Sequence, residues 1–125
     1  MVYKFIVDGT LKTNNEFIEA NRSNVYAGNN MKQEAEQYVS FYIKKYLGDT
    51  QIKNPIHISY IFVEKNRRRD KDNIASFAMK VIQDALVACE VIKNDGWKNI
   101  KSFSCDFKVD KEKPRIEVFL VEDGD

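Results

Sequence analysis

The sequence is poor in the residues that build metal cages and covalent staples: its 125 residues include two cysteines and one histidine. Cys89 and Cys105 stand far apart, with no CxxC or Cys/His spacing around either. That excludes a zinc ribbon and leaves two buried thiols as the expectation, rather than a disulfide. His57 has no second histidine with which to share a metal, so it reads as a satisfied sheet residue. Charge of one sign is also missing. Twenty basic residues face nineteen acidic ones, a net +1, which argues against nonspecific coating of nucleic acid but leaves room for a local basic patch. No apolar run approaches the roughly 20 residues that span a bilayer. The opening MVYKFIVDG lacks the apolar core and cleavage site of a signal peptide. A cytoplasmic protein with no membrane partner is expected. There are no internal repeats and no low-complexity linkers. At 43% hydrophobic residues the chain can build one core and is too short for two ordinary domains, so residues 1–125 read as a single domain.

What the sequence does contain is an alternation of strand and helix patterns. VYKFIV, ending at DGT, is β-branched and aromatic and predicts a first strand followed by a turn. TNNEFIEANRSN suits a short helix capped near Asn14, and VYAGNN reads as a loop. Residues 31–47 predict a helix with acids early, lysines late and Gly48 past its end. Its Ala35, Tyr38, Val39, Tyr42, Ile43 and Tyr46 recur at steps of three and four, marking a core side. After the Asn54–Pro55 break, IHISYIFVE is apolar enough on both faces for a central strand. Residues 73–90 predict a second main helix whose stripe is Ile74, Ala78, Val81, Ala85 and Cys89. IKSFSCDFKV and RIEVFLVE, separated by DKEKP, predict a closing hairpin. The order strand-helix-strand-helix-strand-strand gives an α/β (α+β) domain with helices packed on one mixed sheet.

Between the central strand and the following helix lies KNRRRDKDN, where three arginines meet two aspartates. A charged run of this kind is ordinarily a solvated loop, and Asp72 by itself is a sensible cap for a helix starting at Asn73. Asp70 has no such duty. In an extended segment, residues two apart point the same way, so Asp70 and Asp72 can meet on one side. Hard carboxylate oxygens suit Mg²⁺ or Mn²⁺, and adjoining arginines suit phosphates; together they describe metal-assisted phosphodiester hydrolysis. Asp95, in the turn Asn94–Asp95–Gly96, is the third candidate. A helix running straight across the sheet would carry it about 25 Å from Asp70. Either the chain returns along the sheet, or a second subunit supplies the missing carboxylate.

RRRDKDN, then KVIQDAL within a helix, then VIKNDGWKNI together resemble the RusA-type Holliday junction resolvases, over residues 65–97 in detail and the flanking strands more loosely. That family's pattern is an Asp-x-Asp-Asn, a helical lysine before Asp-Ala-Leu, and an acidic pair near the next turn. The resemblance implies a small homodimeric endonuclease, often phage or prophage encoded, acting in DNA recombination and repair. It implies Mg²⁺ as cofactor, with Mn²⁺ a substitute and no organic cofactor, and branched four-way DNA as substrate. Carried over by position, Asp70, Asp72 and Asp95 become the catalytic, metal-binding aspartates and Lys80 the essential lysine. Two departures stand out. Asn94 replaces one member of the acidic pair, and Lys80 falls one helical turn later than the family's lysine, at whose spacing this chain has Ser76. Lys80 also lies four residues before Asp84, which offers a plain surface ion pair instead. Lys65, Arg67, Arg68, Arg69 and Lys71 would grip backbone phosphates without reading sequence. Trp97 is either a core or interface residue or a stacking partner for an unpaired base. The rival reading is a catalytically inactive junction- or DNA-binding module of the same fold, or a phosphate-binding regulator that uses the arginines alone.

Overall fold

The structure, a computed structural model, describes residues 1–124. Seven elements follow one another: β1 (Val2–Asp8), α1 (Asn14–Ser23), α2 (Val25–Leu47), β2 (Ile56–Glu64), α3 (Lys71–Ala88), β3 (Ile100–Val109) and β4 (Arg115–Glu122). The four strands form one mixed sheet in the order β1-β4-β2-β3. β2 pairs parallel with β3 across α3, and antiparallel with β4. As expected, β2 is interior.

The helices cover one face of this sheet. Along β2, Ile56, Ile58, Tyr60 and Phe62 are buried while His57, Ser59 and Ile61 on the other face are only half-buried, the period-two signature of a sheet packed on one side. Phe5 and Val7 of β1 and Ile116, Val118 and Leu120 of β4 add to that inner face, against Val39 and Ile43 of α2 and Val81, Ile82 and Ala85 of α3. On the open face His57 is satisfied as expected, its ring nitrogens meeting Ser102 Oγ at 2.7 Å and Ser104 Oγ at 3.1 Å.

Three expectations are corrected. VYAGNN is the first part of α2, not a loop, because Asn24 caps the helix by accepting from the Tyr26 amide at 2.7 Å. The short helix expected over TNNEFIEANRSN is present as α1 and precedes it directly, held by a capping box in which Thr13 and Glu16 satisfy each other's backbone amides. β3 and β4 do not form a hairpin either. The chain leaves β3 through a bond from the Asp110 amide to the Glu64 carbonyl at 2.8 Å, passes the end of β2, and inserts β4 between β1 and β2. Burial explains the choice: Val118 and Leu120 are fully enclosed, whereas most of β3 is exposed and belongs at an edge. The tyrosines of the α2 stripe also lie further out than its spacing suggests, Tyr38 and Tyr46 being exposed. Both cysteines are free and half-buried.

Candidate active site

β2 runs straight into the charged segment, and α3 starts at Lys71, two residues earlier than expected. Asp70, not Asp72, therefore occupies the N-cap position, in extended conformation and with no side-chain capping bond. Both carboxylates are exposed at the N-terminal end of α3. Asp72 already lies in the first helical turn, so the strand alternation expected to bring the two together does not apply here. Asp72 Oδ1 accepts from the Asn73 amide at 3.0 Å; Asp70 keeps its oxygens free of any capping bond.

The arginines divide. Arg69 turns inward: its Nε and Nη2 donate to the two carboxylate oxygens of Glu64 at 2.8 and 2.9 Å, and its Nη1 to the Leu11 carbonyl at 2.8 Å. Glu64, the last residue of β2, is buried at 7% exposure, so this bidentate pair fastens the start of the loop to its end. Arg67 and Arg68 are left exposed, with Lys65 and Lys71. Lys71 Nζ lies 5.5 Å from the centre of the Phe107 ring on β3, a cation–π contact across a cleft of about 450 Å³. Asp70, Arg67, Asn66 and Lys108 line that cleft.

Asp95 belongs to a second cluster. The chain after α3 turns back, so Asp95 lies beside the middle of the helix, where Lys80 Nζ reaches its Oδ2 at 3.5 Å and Asp84 Oδ1 at 3.2 Å. Lys80 thus makes both the surface pair and the contact with the third candidate aspartate. The hydrogen bond to Asp84, with the field of both carboxylates, raises its pKa despite some burial. Asp84 in turn meets Lys32 of α2 at 3.0 Å. Burial works to raise the Asp84 carboxyl, and the hydrogen bonds from Lys32 and Lys80 outweigh it and leave the pKa lowered.

Two half-sites therefore share α3: Asp70 and Asp72 at its start, Lys80 and Asp95 at its middle. About 12 Å of helix rise separates Asp72 from Lys80. Among the described residues, no three acidic, histidine or cysteine side chains stand close enough together to hold a metal ion. Oxygen donors unaccompanied by nitrogen or sulfur do suit Mg²⁺ or Mn²⁺, and Asp70 and Asp72 fit that chemistry; Asp95, in this arrangement, neutralises Lys80.

Sequence reasoning missed Glu64, Asp84 as a bridge between helices, and Phe107. An acid ending an apolar strand just before a basic run was the available signal for Glu64. Trp97 is not in the core: it is 98% exposed.

The β2–α3 corner of this mixed α/β sheet thus gathers acidic and basic side chains around one cleft. The family model for endodeoxyribonuclease RusA matches residues 8–121, nearly the whole chain, and the chain belongs to that family of DNA-cutting enzymes. No curated protein matches the sequence significantly. Among the described residues no helix is long and apolar enough to cross a membrane.

Proposed function

We propose that this protein is a divalent-metal-dependent endonuclease that resolves four-way DNA junctions as a homodimer. The observation that supports it best is the corner between β2 and α3, where an uncapped Asp70 faces a cleft lined by cationic side chains in a chain of the RusA family. Asp70 and Asp72 would hold Mg²⁺, with Mn²⁺ able to replace it. When bound, the cation supplies polarisation of the scissile phosphate and an activated water.

The remaining roles belong to the chain itself. Arg67, Arg68, Lys65 and Lys71 are exposed around the aspartates and attract backbone phosphates, a sequence-independent grip. Arg69 supports them indirectly by holding the loop to Glu64. Lys80 is a compact cation aimed by Asp84 and Asp95, suited to charge developing on phosphate oxygens. Asp95 completes the carboxylate set either by exchanging Lys80 for the metal when DNA binds, or by serving the site of a second subunit. A dimer matches the substrate, since paired strands related by two-fold symmetry need paired cuts.

Synthetic four-way junctions and linear duplexes, incubated with and without Mg²⁺ or Mn²⁺, test this reading. Nicking of the junction only with metal, lost in Asp72→Asn, is the expected result. Binding without nicking in either metal would contradict it and leave a DNA-binding module.

A further inference from the structure

Trp97 has no packing duty that explains it. It is 98% exposed, although indole is among the costliest side chains to leave in water. It also sits on a defined turn: the Gly96 amide donates to Asn94 Oδ1 at 2.8 Å, and the Asn99 and Ile100 amides donate to the Gly96 carbonyl at 3.1 and 3.0 Å. Beside it opens a cleft of about 320 Å³ lined by Asp95, Gln83, Ile100, Ser102 and Phe103, and the last of these is itself 53% exposed. Exposed Lys93 and Lys98 flank the turn. Two open aromatic faces with cations around them form the combination that takes a base on the ring and a phosphate on the ammonium.

We infer that Trp97 is a stacking platform for an unpaired base of the DNA, a binding site additional to the carboxylates and phosphate grip. The inference rests on the junction-cutting reading above. Its position gives the base a consequence: Trp97 follows Asp95 by two residues, and Asp95 contacts Lys80, so a base held on the indole sets its own phosphate beside the Lys80–Asp95 half-site. A continuous duplex keeps its base faces stacked within the helix and cannot use the platform. A branch point or a single strand can. Trp97 therefore favours branched over linear DNA, where the arginines do not discriminate.

Trp97 is the chain's sole tryptophan, so fluorescence excited at the red edge, past the absorption of the six tyrosines, reports on it alone. The full-length protein is titrated in EDTA with a four-way junction, a fully paired duplex and a single-stranded oligonucleotide. Expected are quenching by junction and single strand but not by duplex. By mobility shift, Trp97→Ala should bind junctions about 5- to 150-fold more weakly, with duplex affinity within about twofold of wild type and Trp97→Phe retaining most of the binding. Absence of quenching, or unchanged junction affinity in Trp97→Ala, overturns the inference. So does a blue-shifted emission that depends on protein concentration without DNA, which would place Trp97 against a second copy of the chain. A parallel cleavage assay in Mg²⁺ separates the two readings: junction cutting with a silent Trp97 sinks the platform alone, and quenching without any cutting sinks the nuclease reading alone.

Discussion

At the residue scale, the Lys80–Asp84 ion pair bears on stability and, under the proposed function, on chemistry. The Asp84 hydrogen bond raises the Lys80 pKa, so its charge persists throughout the neutral range and beyond its ordinary value. Its contribution to stability is then present below the unfolded pKa near 10.5 and is lost only as pH rises through the higher folded value. Cleavage should therefore show no loss attributable to Lys80 between pH 7 and about 10, whereas Lys80→Met should cut on the order of 10²-fold more slowly, as measured by single-turnover kinetics. Asp84 behaves oppositely. Its pKa is lowered, so its contribution is present above the unfolded value near 3.8 and lost as pH falls through the folded one. Urea midpoints of wild type and Asp84→Asn should differ at pH 7 and draw together only as pH falls below the unfolded value of 3.8 and through the lower folded one. Of the individual side chains, the exposure of Asp70 and Asp72 was legible from the charged run, whereas their placement was not, because α3 starts at Lys71 and takes Asp72 into its first turn. Lys80's double contact was not, because it depends on where the chain returns after α3, and helix rise alone carries Asp95 away from it.

At the scale of elements, the corner between β2 and α3 is held by Glu64 and Arg69 rather than by helix capping. Arg69→Ala would leave the buried Glu64 carboxylate without its bidentate partner and free the Leu11 carbonyl. A loss of about 2 kcal/mol is expected in urea denaturation, less than for a fully enclosed pair because the Arg69 side chain is 27% exposed. Arg69→Lys keeps the charge but not the fork, so it should slow cutting with little change in DNA affinity. Thr13→Ala, which breaks the capping box of α1, should cost about 1 kcal/mol by the same measurement. β2 and α3 were readable from pattern, since each is long and strongly periodic. The boundary between α1 and α2 was not: Gly28 and its neighbouring asparagines look like a loop, yet Gly28 is buried, and a Cβ there would collide with the Asn21 side chain. Close approach of two helices, invisible in local composition, explains that glycine.

For the whole molecule, sheet order decides what the site can be. Inserting β4 between β1 and β2 leaves β3 at an edge, and the parallel β2–α3–β3 unit then sets Phe107 and Lys108 on the rim opposite Asp70. A β3–β4 hairpin, the order local sequence favours, would build the rim differently; burial of Val118 and Leu120 overrode proximity along the chain. The most direct test of the central claim measures binding and cutting together, on a four-way junction labelled on each strand in turn, with wild type and Asp70→Asn in Mg²⁺. The account predicts symmetric paired nicks by wild type, and a variant that binds the junction at least as tightly while failing to cut, since removing the carboxylate lessens its repulsion of phosphate. Undiminished cleavage by Asp70→Asn would contradict it.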